Sequence, residues 1–241
     1  MPYIADTAHV EPTVKVSDNA RIQGNALITG HVRISKEAFV FEDARVDGSS
    51  RITGNALVFG NALIRDDASV MDNGSVSGNA VVAGHGLISD NARIEGAAVV
   101  HNDARVSGNA HVMGITAIRG GAYVAGNARI HGNARIQGNA VVRGFAHISG
   151  DVLIDGDVMI GGMADIYMQS HVIPVKDLFE NYEPNVTVYR TMDGHALSIN
   201  GLVLNLMSTP EEIRKTANGC DLSTDWKSIR DGLRDEVEGW H

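Results

Sequence analysis

The sequence is poor in cysteine, proline, aromatic residues and basic charge. A single cysteine, Cys220, stands among 241 residues. That excludes an intramolecular disulfide framework and any all-cysteine zinc site, and it points to a reducing, cytoplasmic setting. Proline occurs five times while glycine occurs 27 times. Disordered tails collect both, so many glycines with few prolines imply regular tight turns instead. Aromatics are only 5% of the chain, which speaks against a wide core. The net charge of −9 excludes a strongly basic nucleic-acid surface. No apolar run approaches the ~20 residues needed to span a bilayer. The opening residues Met1 to Asp6 carry neither a basic region nor an apolar one, so no secretory signal is expected.

What the sequence does contain is a period of six. Stepping by six from Ile4 through Val10, Val16, Ile22 and onward to Ile166, all 28 positions are Ile or Val. Two residues earlier a small residue recurs, usually Ala, as at Ala20, Ala26, Ala38 and Ala44. Two residues after comes Gly or Asp, often followed by Asn, as in Gly24-Asn25 and Gly54-Asn55. Small, outward, β-branched, outward is the alternation of a strand with one buried face. Gly, Asn and Asp tolerate positive φ, so each pair supplies a corner. Strand and corner repeated every six residues make a polygonal coil, and stacked coils pair their strands in parallel around a narrow Ile/Val core.

This motif resembles the hexapeptide-repeat family of left-handed parallel β-helices, triangular prisms with three hexapeptides per coil. The resemblance covers residues 1–169 and implies an all-β solenoid of about nine coils. Left-handedness comes from the resemblance alone, since ordinary parallel crossovers are right-handed.

With three hexapeptides per coil, the outward columns can be read directly. One face carries Phe39, Phe41, Leu57 and Phe59 on adjacent coils. Such a patch marks an interface or a surface covered by the chain's own tail. The second face is also apolar, with Leu63, Val81 and Val99. The third, with Lys15, Arg33, Arg51, Arg105 and Arg143, is the most polar and is expected to face solvent. One corner column reads Asn19, Glu37, Asn55, Asn73, Asn91, Asn109, Asn127, an amide ladder with a structural role.

Residues 170–241 form a second unit, a small α+β cap. After an irregular stretch to Pro184, apolar runs separated by Asp193-Gly194 and Asn200-Gly201 predict a three-stranded meander. Two helices follow. The last carries Trp226, Ile229, Leu233, Val237 and Trp240 on one stripe, for packing on the meander or on another subunit. The cap or a second chain is expected to cover the open N-terminal strand edges of the prism.

Chemistry is sparser. The best-known members of the resembled family are acyltransferases, in which a histidine on a coil acts as general base in a cleft between the prisms of a trimer. That resemblance makes His111, His131 and His147 candidate bases and acyl-CoA the implied cofactor. Arg93 and Arg129 share the column of His111 and His147 and are candidates for holding an anion. Yet no insertion breaks the register between Ile4 and Ile166, so no substrate loop leaves the prism. His111 and His147 also match the spacing of the first zinc ligands of γ-class carbonic anhydrases, but the third position is Val152, so no metal site is expected. Two functional readings follow. The first is a non-catalytic scaffold, without cofactor, that self-associates through its Phe-bearing face or binds another protein. The alternative is an acyl-CoA-dependent acyltransferase. Bacterial and phage proteins of similar build carry a transferase label on fold analogy alone.

Overall fold

The computed structural model describes residues 1–175, 186–199 and 202–205. Twenty-eight strands of two residues each, β1 (Tyr3–Ile4) to β28 (Asp165–Ile166), follow one another without interruption. They sort into three parallel sheets of ten, nine and nine strands, each strand pairing with those three places before and after it. The register is three hexapeptides, so Tyr3 pairs with Arg21 and Ile4 with Ile22. The result is a left-handed, three-sided β-helix of about nine coils.

The corners show why the repeat demands its residue types. Every position two residues after the inward Ile or Val has positive φ, from Asp18 (57°) to Gly162 (59°). Eighteen of these are Gly, and the other seven are Asp, Asn, Glu or Lys. Several of the carboxylates also stitch coils together. Asp66 and Asp90 each accept the backbone N–H of the corner residue one coil on, Gly84 and Gly108, at 2.9 Å. On the neighbouring corner position, Asn55, Asn73, Asn91, Asn109 and Asn127 form a continuous side-chain ladder with N···O distances of 2.9–3.0 Å.

Inside the prism the Ile/Val stack and the Ala column are buried along nearly the whole length. A residue that is usually Ala at the narrowing corner lets the three walls meet around the branched side chains. Thr116 takes an Ala position and its buried Oγ1 finds no hydrogen-bond partner among the described residues.

The repeat ends differently from the expectation. The described start of the stretch after Ile166 is not irregular: a 3₁₀ turn, Gln169–His171, leads into β29 (Val172–Val175), and residues 176–185 lie outside the described residues. Together with β30 (Val186–Thr191), β31 (Gly194–Ile199) and β32 (Leu202–Asn205) it makes a four-stranded antiparallel sheet, one strand more than the turn signals indicated. β29 escapes sequence reading because Ile173, Pro174 and Val175 lack a flanking hairpin signal.

This sheet sits on the C-terminal end of the prism. Thr191 bridges Ala164, and Met192 N–H donates to Met163 C=O at 3.1 Å. Tyr189 enters the end of the core, fully buried, its hydroxyl between Gly161 N–H (3.1 Å) and Gly161 C=O (3.3 Å). Burial pushes this phenol up to about 12, partly opposed by its bond to the Gly161 backbone. At the other end, Ile4 stays 43% exposed. The described part of the C-terminal unit therefore covers the C-terminal end, not the N-terminal one. The expected helices, with Trp226 and Trp240, and Cys220 lie outside the described residues.

Candidate functional site on the first face

The ten-stranded sheet carries both groups of residues singled out in the sequence. Toward its N-terminal end, Phe39 and Phe41 flank the inward Val40, and Phe59 follows Val58 one coil on. Their rings stack in series: Phe39 on Phe41 at 4.3 Å between centroids, and Phe41 on Phe59 at 4.8 Å and 5°. Leu57 beside them is 37% exposed. The aromatics excluded from the narrow core are thus assembled into an outer plate.

Toward the C-terminal end of the same sheet lies a chain of polar contacts. His131 Nε2 meets His147 Nε2 at 2.8 Å, and His147 Nδ1 meets Asp165 Oδ1 at 3.2 Å. Asp165 Oδ2 accepts from Arg190 of β30 at 2.5 Å, and the same guanidinium donates to the Asp165 carbonyl at 3.2 Å. Arg190 also lies over the Tyr167 ring, 4.9 Å from its centroid, and Tyr167 meets buried His171 edge-on at 4.3 Å.

The charges fix how this chain is protonated. Burial alone would raise the Asp165 carboxyl, but hydrogen bonds from Arg190 and His147 and their charges outweigh it and hold it below its usual range. An ionised carboxylate only accepts, so His147 Nδ1 carries a proton. Between the two facing Nε2 atoms of His131 and His147, one carries the proton and the other accepts. Burial, reinforced by the charge on His147, keeps His131 below its ordinary value and so favours its own neutral form. Burial also lowers His171 and His195, in both cases with help from the Arg190 charge.

The three candidate histidines are therefore not equivalent. His111 does not join the chain. It lies in register between Arg93 and Arg129 and faces Glu95, with Nε2 3.2 Å from Oε2 but without hydrogen-bond alignment. Arg129 separates His111 from His147 in the column, and neither it nor Arg93 pairs with a carboxylate among the described residues. Sequence reading missed Asp165 as orienting partner, although it stands three hexapeptides, one full coil, after His147. It also missed Arg190, whose place depends on how the terminal sheet docks. The corner beside His147 and Asp165 is apolar: Phe145, 66% exposed, and Met163 continue the asparagine column. Among the described residues no group of three or more His, Cys, Asp or Glu could hold a metal ion, and no helix is long and apolar enough to cross a membrane.

The chain is a hexapeptide-repeat β-helix. Within this repeat, a family model described as the YdcK beta solenoid repeat matches residues 88–102 and 126–144. Comparison with curated protein sequences gave no match. Among solved structures, a UDP-N-acetylglucosamine acyltransferase is similar at 13% identity and a TM-score of 0.45, over 66% of this chain and 70% of that one. LpxA from Acinetobacter baumannii is similar at 17% identity and a TM-score of 0.36, over 66% and 70%. The Arabidopsis UDP-N-acetylglucosamine acyltransferase is similar at 19% identity and a TM-score of 0.42, over 93% and 82%.

Proposed function

We propose that this β-helix is a self-associating scaffold or interaction module, a rigid rod whose first face is the contact surface. The observation that carries the reading is the Phe39, Phe41 and Phe59 stack with Leu57 beside it. A stacked, half-buried aromatic cluster on an outer sheet surface gains from leaving water altogether, and such patches mark interaction sites. The exposed Phe145 and Met163 edge borders the same face further along. The unbroken register supports a structural role, because function in rigid scaffolds concentrates in loops and no loop leaves the coils. The test is the solution mass of the wild type against Phe59→Asp. Self-association through this face predicts a multimer, a trimer on the family resemblance, that falls to the 25.6 kDa monomer in the variant.

One observation favours a second reading, an acyl-CoA-dependent acyltransferase. The Asp165, His147 and His131 chain has the orienting partner that a general base needs. Assembly through the first face would enclose it and supply the cleft that one prism lacks. Calorimetric titration with acetyl-CoA tests this reading. Saturable binding at one site per subunit, with acyl transfer lost in His131→Ala and His147→Ala, supports catalysis. Absence of binding at millimolar ligand removes acetyl-CoA as donor.

A further inference from the structure

The third face, the most polar of the three, is not flat. Between the strands Leu87–Ile88, Arg105–Val106 and Tyr123–Val124 lies a shallow hollow of about 510 Å³. Flat columns of side chains do not make a hollow by themselves. Here one side chain is missing. Gly121 stands at a corner where the coils before and after carry Asp103 and Asn139, and its φ is not positive. This glycine is therefore not required by the turn. Its effect is to open the corner beside Tyr123.

The groups around the dent are of three kinds. Tyr123 is 39% exposed, and its hydroxyl is tied to Ser107 Oγ at 3.0 Å, which limits the ring's freedom. Arg105 lies beside it in register and faces no carboxylate partner among the described residues, so its guanidinium donors are available. Asp103 offers a carboxylate, while Ser89 and Ser107, in one column on successive coils, can donate or accept. A part-exposed aromatic ring beside a guanidinium, carboxylates and hydroxyls suits a ligand with a weakly polar C–H face and a rim of hydroxyls. Charged ligands fit less well. Two carboxylates line the hollow, Asp103 and Asp90, the latter already accepting from Gly108 N–H; they repel an anion, and Arg105 repels a cation. The volume is within the range of small-molecule sites.

We propose that this hollow is a binding subsite for a neutral pyranose saccharide. The sugar ring lies on Tyr123, and its hydroxyls bond to Arg105, Asp103 and Ser89. Because the site is on the third face, self-association through the first face leaves it open, and it does not depend on that reading.

The test uses the full chain and methyl glycosides of glucose, galactose, mannose and N-acetylglucosamine, with maltotriose, followed by saturation-transfer NMR and calorimetry. Binding of at least one of these at millimolar concentration is expected. Tyr123→Ala should weaken it by about tenfold, the loss of one stacking contact. Gly121→Asn is the second variant: it places at this corner the residue that follows one coil on, and its Cβ would meet the movable Asn139 Oδ1 at 2.9 Å and the Gly138 carbonyl at an ordinary 3.7 Å. It should fold, with an unchanged melting curve, and lose binding. No saturation transfer from any probe overturns the proposal. So does binding that survives both variants, and so does glucose 6-phosphate binding tenfold tighter than glucose.

Discussion

Truncating Tyr189 would separate the terminal sheet from the prism it covers. The phenol is fully buried at the end of an otherwise aliphatic core, and its hydroxyl engages both backbone groups of buried Gly161. Tyr189→Phe keeps the ring and removes the hydroxyl, leaving Gly161 N–H and C=O short of a partner, at a cost of about 1–3 kcal/mol. Tyr189→Ala also removes the packing, for about 3–5 kcal/mol. In a solenoid each coil contacts only its neighbours, so the loss should be local. Hydrogen exchange read by mass spectrometry or NMR resolves it. In Tyr189→Phe, amides of Val188 to Thr191 and of Ala164 should exchange roughly 5- to 150-fold faster, at about tenfold per 1.4 kcal/mol. Amides of the central coils, such as Val82 and Val100, should keep their wild-type protection. Acceleration spread evenly over the whole prism would refute the reasoning, because it would mean that sheet and prism open as one unit. No change at Val188 to Thr191 would refute it as well.

Other perturbations have equally specific outcomes. Thr116→Val removes a buried hydroxyl that has no partner among the described residues and keeps its shape; the melting temperature should rise, for a gain of about 1–3 kcal/mol, and a fall would mean that the hydroxyl is satisfied. Gly54→Ala meets both a φ of 82° and the Asp72 backbone at 2.6 Å, whereas Gly156→Ala meets a φ of 79° with nothing within 4 Å. Both should destabilise by the left-handed cost of about 1–2 kcal/mol, Gly54→Ala by distinctly more, and equal denaturant midpoints would show that coil stacking adds nothing. Docking of the terminal sheet should weaken in acid. His171 and His195 are held below the ordinary 6.5, so the undocked state binds their protons first, and docking is lost as pH falls below about 6.5. Asp165, held below 3.8 by Arg190 and His147, extends that loss to lower pH. Exchange protection of β30, corrected for intrinsic rate, should be lower at pH 5 than at pH 7.5, and a constant value would contradict this.

The prism was legible because each hexapeptide states its own conformation. Ile or Val at the inward position, Ala two before and Gly or Asp two after each satisfy a constraint that recurs on the next coil, so many weak local signals reinforce one another. The Phe39, Phe41 and Phe59 plate followed from the same arithmetic. The diagonal contact of His131 with His147 was within its reach, since the two are neighbours across one coil step. A column reading instead pairs His147 with His111, which faces Glu95. Arg190 was beyond such reading. Its contact with Asp165 depends on how an antiparallel sheet docks on the last coil, which no period encodes. The hollow beside Tyr123 was hidden for another reason. Gly121 looks like any corner glycine in the sequence, and only its ordinary φ shows that the turn does not need it.

Self-association through the first face is tested most directly by sedimentation equilibrium of the wild type and of Phe59→Asp at equal concentration. The expected result is a wild-type mass that is a multiple of 25.6 kDa and a monomeric variant with an unchanged β-helix circular dichroism spectrum. A monomeric wild type, or a multimer that the aspartate leaves intact, would contradict the claim that the first face is where this rod makes its contacts.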